Sequence, residues 1–296
     1  VLKQPNISAY SQKEEKDIYR IKFISGDSGS PFWSNVKKGA QNVAEKNHVA
    51  IEFLETFQGD SFGYLKNIDM AISSQVDGII VQGKEDPEFI EIVDKALQKG
   101  IPVITVFTDA PESLRKTYVG PNHYQEGEIM GEYIAAELNG KGKIGIVYGG
   151  ASTDYLNLRK KGIINALAKY PNIDILGANN NNLDDLKGLK ETTNLLNHNP
   201  DCRVFLGLTS DATNGIVQSI RGRGQLKDYS IYSFDQDPEI SEFLKEGIVS
   251  AVLTQQPEEI GTKSTILMLN WLDGKEMPLE QNYYTNIHLL KKGNTP

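Results

Sequence analysis

Short β-branched runs alternate along this chain with helix-length amphipathic stretches, and that alternation restricts the fold more than any other feature of the sequence. A first series runs YRIKFIS, a helix from Pro31, VAIEFLE, a helix over 62–74, GIIVQ, a helix over 88–99, and IPVITVF. A second runs KIGIVYG, a helix over 156–169, NIDILG, a helix over 183–196, RVFLGL, a helix from Asp211, YSIYSF, a helix from Pro238, and IVSAVLT with a helix over 257–272. Strands separated by helices join through right-handed crossovers, which makes the sheets parallel and the class α/β.

The two series echo each other. NVKKGAQNVAEKNHVAIEFLE, from Asn35, can be laid over NLRKKGIINALAKYPNIDILG, from Asn157, so that Lys37-Lys38-Gly39 faces Lys160-Lys161-Gly162. An internal repeat of this size predicts two lobes of similar build rather than one large sheet, and 296 residues suffice for two cores. Residues 1–17 are polar and aperiodic, end in the charge run QKEEKD, and read as a tether.

In an open parallel sheet, ligands gather beyond the carboxyl ends of the strands, where helix N-termini also point. The loops after strands are therefore where function is to be sought. In the first of them Ser30 before Pro31 predicts an N-cap and first-turn proline. The same loop contains GDSG, the surround of a trypsin-like nucleophile at Ser28. That chemistry needs a histidine base and an orienting carboxylate. Here the serine comes early, after the first strand of an α/β pattern, and nothing selects a base among His48, His123, His198 and His288. The four letters are read as coincidence and the chain as no enzyme.

Other chemistries fare no better. Gly26 and Gly29 lack the three-glycine spacing of a dinucleotide loop, GKGKIG precedes a strand instead of following one, and the histidines show no metal-ligand spacing. No cofactor is expected. Asp184-Asp185 and Glu258-Glu259 stand at helix starts, where they complement the dipole. The lone Cys202 reads as a small buried hydrophobe. A net charge of −8 disfavours nucleic acid as a partner. No apolar run approaches the roughly 18–20 residues of a membrane span. The start at Val1 without a leader is the expectation for a mature form whose export signal or anchor has been removed.

The residues left at strand ends share one chemistry. Phe32 and Trp33 follow the first strand, Thr108 and Asp109 follow IPVITVF, Asn157 follows KIGIVYGG, and Thr209 or Asp211 follows RVFLGL. Asp235 follows YSIYSF and Gln255 ends IVSAVLT. Aromatic faces beside carboxylates and amides suit a monosaccharide, whose C–H faces stack on rings and whose hydroxyls both donate and accept.

These segments resemble the type I periplasmic sugar-binding proteins, relatives of ribose-binding protein and of the effector domains of lactose-repressor-type regulators. The resemblance runs from Ile18 onward through SPFWSNVKKGA, VDGIIVQG, KGIPVITVFTDAP, YVGPNHYQEGEIMGEYIA, LRKKGIINAL, YSFDQDPE and VLTQQPEEIG. It implies two three-layer α/β/α lobes joined by a three-strand hinge: 18–121 with 256–281, and 122–255 with 282–296. It implies that Phe32 and Trp33 sandwich or edge a sugar ring, that Asp235 and Gln255 bind hydroxyls near the hinge, and that Asn157 stands where relatives carry a hydroxyl-binding arginine or asparagine. The Asp-Arg pair common after PVIT is replaced here by Phe107-Thr108-Asp109, so that Asp109 is expected to take over the aspartate's role. The loop GLTSDA leaves Thr209 and Asp211 as alternatives. An extracytoplasmic receptor is implied, with an ABC permease or the sensor region of a histidine kinase as membrane partner. The tether and FTDAP are similar to xylose-sensing receptors. A repressor effector domain is the second reading, although no helix-turn-helix precedes the first strand.

Overall fold

The computed structural model describes residues 18–149, 153–177, 187–224 and 226–293. The tether at 1–17 and the Asp184-Asp185 pair lie outside them. Alternating burial builds the first sheet. In β1 (Arg20–Ser25), Ile21 and Phe23 face one core and Ile24 the other, and in β3 (Gly78–Gln82) Ile80 faces the first while Ile79 and Val81 face the second. With side chains alternating across a strand, both faces must be covered. Helices α1 (Pro31–Asn47) and α9 (Pro257–Leu272) cover the face of Ile21, and α2 (Ser61–Ser73) and α3 (Pro87–Gln98) the face of Ile24.

The order of the first sheet is β11-β5-β4-β3-β1-β2, adding β2 (Ala50–Glu55), β4 (Val103–Val106), β5 (Thr117–Gly120) and β11 (Asn282–Tyr284). The second repeats it as β12-β10-β9-β8-β6-β7. Its strands are β6 (Lys141–Val147), β7 (Asn172–Leu176), β8 (Val204–Gly207), β9 (Ser230–Phe234), β10 (Ala251–Gln255) and β12 (Ile287–Lys291). Helices α4 (His123–Glu137) and α5 (Asp154–Leu167) cover one face. The other carries α6 (Lys187–His198), α7 (Ser210–Arg221) and α8 (Pro238–Glu246).

All pairings in the first sheet are parallel, whereas β12 runs antiparallel to β10 in the second, a departure from purely parallel sheets. Three segments cross between the sheets: 121–122 into α4, 256 into α9, and 285–286 between β11 and β12. Residues 282–284 pair with β5 and so lie in the first sheet, not with the second lobe as the expected boundary at 282 has it. Among the described residues no helix is long and apolar enough to cross a membrane.

The echo between the series has a packing cause. A Cβ on Gly39 would fall 2.1 Å from the Glu258 carbonyl oxygen of α9, and one on Gly162 would fall 2.0 Å from that of Tyr124 in α4. The partner glycines Gly261 and Gly127 are equally tight, at 1.8 and 2.0 Å from the Val36 and Arg159 oxygens. Each lobe thus closes one face with a helix pair whose backbones nearly touch, which only glycine permits.

Candidate functional site

Phe107 and Asp235 occupy equivalent places in the two lobes. Each is the residue directly after the fourth strand of its series, each has a left-handed backbone (φ 63° and 65°), and each N–H reaches the next strand, at Val119 O (3.1 Å) and Leu253 O (3.0 Å). A left-handed conformation is uncommon for a non-glycine residue and costs about 1–3 kcal/mol, so the surrounding structure must enforce it. One lobe presents a ring at this point and the other a carboxylate.

Asp235 belongs to a buried polar network. Arg159, fully buried in α5, directs Nη2 to Asp235 Oδ1 at 2.7 Å and Nη1 to Oδ2 at 3.0 Å. It also gives Nη1 to the Leu208 carbonyl (2.8 Å) and Nε to Glu126 Oε2 (2.9 Å). Gln255, at the end of β10, donates to both Glu126 Oε1 (2.9 Å) and Asp235 Oδ1 (3.2 Å). Burial opposes the charge on Glu126, but Arg159 and His123 outweigh it and hold the carboxyl at about 2. Twenty-nine per cent of the Asp235 side chain remains exposed, so this network offers a carboxylate outward on a rigid backing.

Rings gather on the other side. Phe107 lies 4.7 Å from Phe32, 6.0 Å from Trp33 and 5.5 Å from Tyr155 of the opposite lobe. Burial, with Asp235 beside it, pushes the Tyr155 phenol up to about 12, so it stays a neutral group able to donate. Trp33 is 2% exposed and belongs to the first lobe's core, where it edges Phe32; Phe32 itself is half-buried.

The other expected residues have contacts or positions of their own. Asp109 takes a two-point ion pair with Arg115, with Nη2 to Oδ2 at 2.6 Å, and accepts from Thr105 Oγ1 (2.7 Å) and the Ala110 N–H (2.8 Å). These contacts hold the carboxylate at the corner of its own lobe, with 21% of the side chain exposed. Thr108 gives its hydroxyl to the Gly83 carbonyl at 2.6 Å. Thr209 caps α7 by accepting from the Ala212 N–H (3.1 Å), and Asp211 is exposed in the first turn of that helix. Asn157 is exposed on α5, and the residue of that helix that enters the network is Arg159. Ser30 sits at the N-cap of α1 without a side-chain capping bond.

Arg159, Glu126 and His123 are the residues that strand-end reasoning missed. They had a signal: Arg159 falls on the buried stripe of Leu156, Ile163 and Ala166, and Glu126 on that of Met130 and Ile134. A charge on an apolar helix face must be paired.

Acids face each other across the lobes. Burial raises the Asp27 carboxyl against a hydrogen bond from Ser30, and Asp211 of the opposite lobe and Glu55 raise it further. Glu85 is raised by burial and then by Asp154, from the opposite lobe, with Asp109 and Glu112 adding. Among the described residues no group of three or more His, Cys, Asp or Glu side chains could hold a metal ion.

Comparison with known proteins agrees with the paired lobes. Residues 21–276 match the periplasmic binding protein domain. The ribose import binding protein of Bacillus subtilis is 24% identical over 93% of this chain and 89% of its own length. A glucose-galactose binding protein from Geobacillus stearothermophilus superposes with a TM-score of 0.88 at 27% identity, covering 95% of this chain and all of that one. A solute-binding protein of an ABC transporter from Burkholderia graminis, solved with D-arabinose, gives 0.83 at 26% identity over 94% and 98% of the two chains. The complex XylFII-LytSN shares the fold, at 23% identity and a TM-score of 0.83. The relatives are binding proteins and not enzymes, and with the match extending over most of its length this chain belongs to the periplasmic binding protein family.

Proposed function

We propose that this chain is an extracytoplasmic receptor that binds a monosaccharide between its lobes and closes on it. The observation that carries the reading is the pairing of Phe107 with Asp235: a ring at one lobe's strand end, a buttressed carboxylate at the equivalent point of the other. Phe32 and Tyr155 extend the apolar side, Gln255 the polar one. A sugar needs both surfaces, and hydrogen bonds to a charged acceptor contribute about 1.5–3 kcal/mol each.

An aldopentose, D-xylose first, is the ligand we propose, with support from a relative named for ribose import and from a neighbour solved with D-arabinose. The closed form then engages a membrane partner, an ABC permease or a sensor histidine kinase, with support from the ribose import protein and from the XylFII-LytSN complex. A thermal-shift screen over D-xylose, D-ribose, L-arabinose, D-glucose and D-galactose tests the first part, since a ligand at 100 times its Kd adds about 2.7 kcal/mol. One aldose raises the melting temperature, and Asp235→Asn loses the shift. If no sugar stabilises the protein, or Asp235→Asn responds like the wild type, the reading fails.

A further inference from the structure

His123 begins α4, directly after the first crossing, and is 5% exposed. Its two ring nitrogens point at acceptors: Nδ1 lies 2.8 Å from Glu126 Oε2 in its own helix, and Nε2 lies 2.7 Å from the carbonyl oxygen of Phe107 in the other lobe. A peptide carbonyl only accepts, and so does an ionised carboxylate. The ring satisfies both only when each nitrogen carries a proton. Tyr118 cannot replace it freely, because the phenol's single proton is shared between the Phe107 carbonyl (2.9 Å) and the Pro121 carbonyl (2.8 Å).

We infer that His123 is a positioning residue: in its doubly protonated form it holds Phe107 in the left-handed conformation, joining the ring wall of one lobe to the carboxylate of the other. The chain of contacts is continuous, from Asp235 through Arg159 and Glu126 to His123 and Phe107. The charged and titratable groups facing the imidazole are Glu126 on its own helix, Arg159 and Tyr155 on α5, and Tyr118 from the first sheet. When the second proton leaves, the carboxylate retains the Nδ1 proton more strongly than a neutral carbonyl retains the one on Nε2. An Nε2 lone pair then opposes the Phe107 oxygen, and the restraint on Phe107 is lost. Sugar affinity therefore falls as pH rises through that deprotonation. This rests on the reading of the cleft as a sugar site, but the restraint itself can be tested without sugar.

Trp33 touches Phe107 and reports on it once Trp271 is replaced by Phe. In that background, Trp33 fluorescence followed over the pH range in which the fold holds shows a one-proton transition that is absent in His123→Gln and His123→Phe. Calorimetry with D-xylose shows affinity falling about tenfold across the same transition, while His123→Gln binds more weakly and without pH dependence. A flat fluorescence titration, or a transition that persists in both variants, overturns the inference whatever the sugar result. D-xylose binding that is lost with Asp235→Asn but does not vary with pH leaves the sugar site standing and removes the role of His123. Absence of sugar binding beside an intact fluorescence transition does the reverse.

Discussion

Glu126 is fully buried between an arginine and a histidine, and its replacement by glutamine would leave Arg159 short of one of two carboxylates. Breaking a buried pair in this way costs about 3 kcal/mol or more, which urea denaturation of Glu126→Gln at neutral pH will register. The pH dependence follows from the same contact. The carboxyl sits at about 2 in the folded protein against an ordinary 4.5. A depressed value contributes stability that is complete above the unfolded value and lost as pH falls toward the folded one. Urea midpoints measured down through that interval should fall steeply in the wild type and less so in Glu126→Gln. At this scale position was legible, with Asp235 directly after β9, Gln255 at the end of β10 and Phe32 at the start of α1. The sequence was opaque where function is shared through space: nothing in the order of residues tells that Asp109 will be taken by Arg115, or that Arg159 and not Asn157 turns inward.

Helices and strands follow local rules closely enough to be read in advance when they are long. The apolar stripes and terminal prolines of α1, α3, α8 and α9 place those helices within a residue or so, and Asp86 and Asp237 cap two of them by accepting from Phe89 and Ile240 N–H groups at 2.8 and 2.7 Å. The sequence series omitted β5, α4, β11 and β12. β4 and β8 are as short but wholly β-branched or apolar up to their ends, whereas Tyr118, Asn282 and His288 interrupt β5, β11 and β12, and α4 carries Glu126 and two glycines inside the stripe that would announce it. The glycine contacts make a test at this level. Alanine at Gly127 or Gly261 would put a methyl group within 2.0 or 1.8 Å of backbone oxygen. Each should lower stability by about 1–3 kcal/mol through forced separation of its helix pair. A melting temperature unchanged in both variants would show that the pairs have room to part.

Two lobes with the same strand order are tied by three crossings; the proposed function requires this body to close, and a ligand favours the form in which it makes the most contacts. The acids that face one another across it oppose that motion. Removing one, with Asp211→Asn, should tighten binding of D-xylose by up to about fivefold at low salt, the gain shrinking as added salt screens the charges. Weaker binding would instead give Asp211 a hydroxyl of the sugar to hold. The overall architecture was readable because the repeat of Lys-Lys-Gly marks equivalent helices, while the crossings were displaced at β11 because a three-residue strand left no mark in the sequence. The mirrored backbone turn at Phe107 and Asp235 has a longer reach. The same peg carries a ring in one lobe and an acid in the other. The frame that presents this point is thus indifferent to which side chain it holds, and one exchange at either place would recast the wall it faces without rebuilding the fold.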